Sequence, residues 1–187
     1  MDTLSMNPED ILAEHFPPLA LEIIVEHSRY VADKALRIAR GCAFADSLDK
    51  AFIEEAAMLH DIGVSMTDAP FLHCHGTAPY ICHGVLGRDI LEKKGLPSHA
   101  LVCERHIGVG LTVADIIKQN LPLPHRDMLP ISTEEKIIAC ADLFYSKKKG
   151  DLSTEKTLEQ VRQDLAKFGS MKVVIFDSWL KEFSICN

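Results

Sequence analysis

The sequence predicts an all-α fold, a compact helical bundle, on three observations. Apolar residues recur at spacings of three, four and seven along nearly the whole chain. No run of period-two segments marks a set of strands. Glycines, prolines and a Ser-x-x-Glu pattern fall between the periodic stretches, where helices start and stop.

Taken in order, residues 21–39 place Ile24, Val25, Val31, Ala32, Ala35, Ile38 and Ala39 on one stripe. Residues 50–59 repeat the pattern with Ile53, Ala56 and Ala57, and Gly63 follows as a C-terminal stop. Helices over 84–94, 98–107 and 112–120 come next, the first closed by Gly95 and Pro97. Ser132 and Glu135 form a capping-box pattern that opens a helix through Ile138, Ala141 and Tyr145. Lys147, Lys148 and Lys149 read as its solvated, dipole-favoured end. Leu158, Val161, Leu165 and Phe168 mark a further helix stopped by Gly169. Residues 173–176 fit a strand, but Phe176, Trp179, Leu180 and Phe183 fit a helical face better, one that packs on the domain or forms a homodimer contact. The longest irregular stretch, 64–81, is of the length that carries function. The expected organisation is an N-terminal tail over 1–19, one domain with the site over 20–150, and a helical extension over 151–187 packed on it.

A chain of 187 residues with 47% hydrophobic and 25% charged residues suits one folded domain. The net charge of −7 argues against a dedicated nucleic-acid surface, but not against a small phosphorylated substrate, because a metal ion can supply positive charge locally. Neither a secretory signal nor a membrane span is visible, which points to the cytoplasm. The six cysteines form no CxxC pair, and free, buried thiols are expected.

The placement of histidines carries the functional signal. His27, His60, His83 and His106 each keep helical spacing with apolar neighbours, and so does Asp142. With Asp61 beside His60, six metal-competent side chains point inward from five helices. Any one alone reads as a hydrogen-bonded core residue. Six together are explained jointly by one or two divalent ions, since buried charges persist by pairing or by binding metal. Imidazole and carboxylate donors without thiolate suit iron, manganese, zinc or nickel.

The string Ala56-Ala57-Met58-Leu59-His60-Asp61-Ile62-Gly63 resembles the AxLHDIG signature of the HD/HDIG metal-dependent phosphohydrolases. An upstream His27 and a downstream Ala141-Asp142 complete that family's order, and the resemblance covers about residues 20–148. It implies an HD-type bundle in which His27, His60, Asp61 and Asp142 hold one ion. Two-metal members add two histidines, which His83 and His106 resemble in context. Asp61 would then bridge the ions as the catalytic carboxylate. His73 and His75 lie in the irregular loop, and either could replace His83 or act on substrate. Arg105, Lys34 and His75 are the expected contacts to substrate phosphate, with Arg29 and Arg88 also near ligands in sequence.

The implied cofactors are two divalent metal ions, iron first, and the implied reaction is hydrolysis of a phosphoester or phosphoanhydride of a nucleotide-like substrate. The GYP element of cyclic-dinucleotide phosphodiesterases is absent, and Val64, Ser65 and Met66 stand where monophosphate nucleotidases carry an acidic residue. A mononuclear nucleotidase and a catalytically silent nucleotide-binding module are the alternatives.

Overall fold

The spine of the structure is a 24-residue helix with histidine in the middle of its apolar stripe. A computed structural model describes residues 6–148 and 150–185. A first helix, α1 (Pro8–Ala13), precedes the spine α2 (Pro18–Gly41), which opens on a proline whose missing N–H costs a helix start nothing. The segment expected as a tail thus carries a helix, and its Leu12 and Phe16 are buried in the main core.

Asp49 caps α3 (Lys50–Leu59) by accepting the Phe52 N–H at 2.9 Å. Ile53, Ala56 and Ala57 of this helix are buried where it packs against α2. Both helices bury alanines, Ala32, Ala35 and Ala39 on α2 and Ala56 and Ala57 on α3.

The chain then makes a short 3-10 turn over Ile62–Met66 and a two-stranded antiparallel sheet of β1 (Asp68–Ala69) and β2 (Cys74–His75). Asp68 stands opposite His75, and Ala69 opposite Cys74. The loop expected to be irregular is therefore a closed, hydrogen-bonded excursion. It leads through Tyr80–Cys82 straight into α4 (His83–Lys93) and α5 (Pro97–Arg105).

Next come α6 (Val113–Lys118) and α7 (Thr133–Asp142), then α8 (Leu158–Ala166) and α9 (Ser170–Glu182). The stretch 173–183 is thus helical. Phe176, Trp179, Leu180 and Phe183 all lie inside the core, which leaves none of them for a dimer face. A second, smaller apolar cluster of Cys82, Leu111, Ile116, Leu123 and Met128 backs the connection between α5 and α7. Among the described residues, no helix is long and apolar enough to cross a membrane.

Three local expectations are corrected. Ser132 does accept the Glu135 N–H, but the Glu135 carboxylate turns to Arg105 and the Ile131 N–H, so the box is not reciprocal. Reciprocal capping boxes form instead at Thr112/Asp115 and Thr157/Gln160. The α7 helix ends at Asp142, one turn before Tyr145. Gly63 is a packing residue rather than a helix stop: a Cβ there would lie 2.0 Å from the His83 carbonyl oxygen and 2.3 Å from the Gly87 nitrogen.

Those two obstacles are backbone atoms, which cannot rotate away. Gly63→Ala should therefore push α4 off the 62–66 turn and destabilise the protein by about 3 kcal/mol, the upper end of ordinary overpacking. Thermal melting of the variant checks this; an unchanged midpoint would mean that α4 is free to shift.

Candidate metal centre

Five helices deliver the six side chains, and most do so from their ends. His27 lies mid-way along α2, His60 caps the C-terminus of α3, and His83 is the first residue of α4. His106 caps α5, and Asp142 is the last residue of α7. Asp61 follows His60 with φ −104° and ψ 9°, a non-helical conformation at the turn out of α3. Helix ends thus converge on the middle of the spine.

Asp61 is fully buried, and its two oxygens face different imidazole pairs. Oδ2 lies 3.1 Å from His60 Nε2 and 3.5 Å from His27 Nε2. Oδ1 lies 3.5 Å from His83 Nε2 and 3.6 Å from His106 Nε2. Asp142 Oδ1 closes the first side, 3.0 Å from His27 Nε2 and 3.4 Å from His60 Nε2. His27, His60 and Asp142, and likewise His60, Asp61 and His106, bring donor atoms within 4.8 Å of one another.

The backbone fixes which ring nitrogens face inward. His60 Nδ1 donates to the Ala57 carbonyl at 2.6 Å, His83 Nδ1 to Tyr80 at 2.7 Å and His106 Nδ1 to Cys103 at 2.8 Å. Each partner lies three residues upstream, so one local device orients three rings and points Nε2 at the centre. His83 and His106 then meet Nε2 to Nε2 at 3.1 Å, two acceptor positions that repel without a cation beside them. His60 Nε2 and Asp61 Oδ1 are buried without a hydrogen-bond partner, and Asp61 Oδ2 meets only a lysine amine that a bound ion would compete with. Orphaned donor atoms of nitrogen and oxygen type, converging without thiolate, fit one or two divalent transition-metal ions.

Lysine completes the cluster, and the sequence misplaces it. Lys147 does not extend a solvated helix end; its Nζ lies 2.7 Å from Asp61 Oδ2, with the side chain only 13% exposed. Lys148 is exposed as expected, and Lys149 lies outside the described residues. Because α7 stops at Asp142, the following segment can turn back across the site. No periodicity announces such a turn.

Burial opposes ionisation of Asp61, yet His60 and Lys147 hold its carboxyl well below the usual range. Asp142 is likewise held low against burial, by Lys147 and His27. Burial also opposes a proton on His60, but the two carboxylates outweigh it and raise its pKa to about 10. His106, desolvated and beside His60 and His83, is pushed down to about 3. Burial lowers His27 and His83 as well. Without metal, two carboxylates are thus balanced by His60 and Lys147.

The phosphate contacts expected from sequence stand elsewhere or are engaged. Arg105 Nη1 binds both Glu135 oxygens, at 3.0 and 3.1 Å. Lys34 binds Glu155 at 2.6 Å and lies over the Phe144 ring. Arg88 pairs with Glu92 and Glu104, and Arg29 with Glu9. His75 is exposed on β2, and His73 is exposed at the tip of that excursion with φ 56°. His83, and neither of these, joins the cluster. Five cysteines are free and buried, and Cys186 lies outside the described residues.

The family model described as HD domain matches residues 24–146. An uncharacterized protein of Methanocaldococcus jannaschii is 38% identical over 137 residues, 72% of this chain and 73% of that one. A tRNA (cytidine(56)-2'-O)-methyltransferase of Picrophilus torridus is 34% identical over 126 residues, 67% of this chain and 32% of its own length. A protein of the same name from Thermoplasma volcanium is 30% identical over 156 residues, 79% of this chain and 41% of its own. The chain therefore spans less than half of either methyltransferase. No solved structure matches.

His60 sets a pH dependence. Its pKa of about 10 keeps it protonated at pH 7, and Nε2 can bind a cation only after losing that proton. Metal affinity should therefore rise with pH across the neutral range, by about tenfold per unit for one proton released. Calorimetric titration with Mn²⁺ at pH 7, in buffers of different ionisation enthalpy, should show about one proton released per chain. No proton release would show that His60 is neutral in the metal-free protein.

Proposed function

The chain belongs to the HD domain family, and from that premise we propose that it is a metal-dependent phosphohydrolase acting on a small, nucleotide-like phosphoester or phosphoanhydride. The observation that carries this is Asp61, a buried carboxylate with each oxygen set against its own pair of imidazoles. His27, His60 and Asp142 with Oδ2 would hold one ion, and His83 and His106 with Oδ1 a second. Iron is the first choice, then manganese, zinc or nickel. Ions bound there supply Lewis acidity toward phosphoryl oxygens and a water acidic enough to act as nucleophile near neutral pH.

The chain's own contribution is positioning. Backbone carbonyls of Ala57, Tyr80 and Cys103 hold three rings in the tautomer that presents Nε2. His60 and Lys147 hold the Asp61 carboxyl well below the usual range against its burial. His27, His60, Asp61, His83 and His106 are all buried, which keeps bulk water out and strengthens each electrostatic contact. Asp142, at 16% side-chain exposure, and Lys147 mark the side from which substrate would enter.

Methyl transfer is not proposed for this chain, because it covers a minor part of the two methyltransferases. The five described cysteines are free and buried, which favours a reducing compartment such as the cytoplasm.

The deciding experiment is metal content per chain after purification without chelator, for the wild type and for His83→Ala combined with His106→Ala. Two ions falling to one in the variant, with loss of phosphate release from a panel of nucleotides, is the expected result. One ion in both proteins would favour a mononuclear nucleotidase. Metal without turnover across the panel would favour a silent nucleotide-binding module, and no metal after supplementation with iron, manganese and zinc would overturn the metal-dependent reading.

A further inference from the structure

We propose that Lys147 is the side chain that grips the phosphoryl group of the substrate, having been released from Asp61 by the metal. This rests on the phosphohydrolase reading above and adds a substrate contact that the sequence assigned elsewhere.

Four observations carry it. Lys147 Nζ lies 2.7 Å from Asp61 Oδ2, inside the cluster rather than beside it. With Asp142, its side chain forms the partly open wall of a site whose other members are 6% exposed or less. The backbone around it is anchored: Lys156 N–H donates to the Phe144 carbonyl at 2.8 Å, and the Tyr145 hydroxyl donates to Glu155 at 2.9 Å. The amine, on a stem of four carbons, can therefore change partner by side-chain rotation while those backbone anchors stay in place.

The fourth observation concerns its partner. Arg29, Lys34, Arg88 and Arg105 are paired with Glu9, Glu155, Glu104 and Glu135, none of which belongs to the cluster. Lys147 is paired with the carboxylate that a bound ion needs. A divalent cation and an ammonium compete for Oδ2, and the ion has the greater charge and the imidazoles to hold it. The displaced amine stays within a four-carbon stem's reach, at the open wall. The partly buried Tyr80 hydroxyl beside it, its pKa pushed up to about 12 by desolvation, offers no counter-charge. A phosphoryl group entering from that wall does, through charge-assisted hydrogen bonds from the amine.

The test uses the full chain loaded with Mn²⁺ and inorganic phosphate as the probe. Lys147→Met should take up metal at least as well as the wild type, because a competing cation is gone. It should bind phosphate at least about tenfold more weakly, the loss expected for one hydrogen bond to a charged group. Lys147→Arg should keep most of the affinity, which a merely structural lysine would not require; if the Met variant does not fold, Lys147→Gln takes its place. Unchanged phosphate affinity in a variant with full metal content would overturn the inference while leaving the phosphohydrolase reading intact. Loss of metal from the variant would also overturn it, by making Lys147 a support of the ligands. A wild type that takes up no metal would instead remove the parent reading, and this inference with it.

Discussion

Asp61 carries its charge where no solvent reaches it, and most of the fold can be traced to that condition. Leaving one partner of a buried ion pair uncompensated costs about 3–5 kcal/mol, so the surroundings must answer the charge with good geometry. Two cations do so, the His60 imidazolium and an ammonium from beyond the end of α7, while His27, His83 and His106 enclose the carboxylate as neutral rings. Each partner comes from a different element. The bundle cannot loosen at one helix without exposing or orphaning part of the cluster.

Close approach of backbones makes this convergence possible. Gly63 lets the turn after Asp61 sit against the start of α4, and Gly87 lets α4 sit against Cys103 of α5. His83 and His106 are carried on those two helices, so the spacing of the imidazoles depends on two missing side chains. The Nδ1 bonds to carbonyls three residues upstream then convert helix position into ring orientation. Packing and ligand geometry are therefore one problem in this protein, solved by the same residues.

What the sequence makes legible follows from the range of the interactions. The helices over 21–39, 50–59 and 84–94 are written in local periodicity, and so is the inward aim of His27, His60 and His106. Asp142 is legible for the same reason, four residues after Ile138. The fate of Lys147 is not, because it depends on where α7 stops and on a charge some eighty residues upstream. Arg105 illustrates the same range: proximity to His106 in sequence suggests a substrate contact, while its partner in the structure is Glu135, thirty residues on. Glu135 is misread in turn, since its carboxylate serves Arg105 and the Ile131 N–H rather than the Ser132 N–H. Errors gather where a charged group has a partner distant in sequence.

The charge count of the metal-free cluster bears on the order of folding and metal loading. In a zinc finger the ligands have no alternative cation, and the chain stays unfolded until metal arrives. Here His60 and Lys147 already neutralise Asp61 and Asp142, and a continuous apolar core surrounds them. The chain can fold first and bind metal second. An arriving ion would then compete with two existing cations, a proton on His60 and the amine of Lys147, instead of meeting bare carboxylates. Such an exchange lowers the net affinity for metal compared with an unneutralised site of the same donors. On the proposed role of Lys147, the event that loads the site would also free a positive group at its mouth, and a site without metal would keep that amine on Asp61.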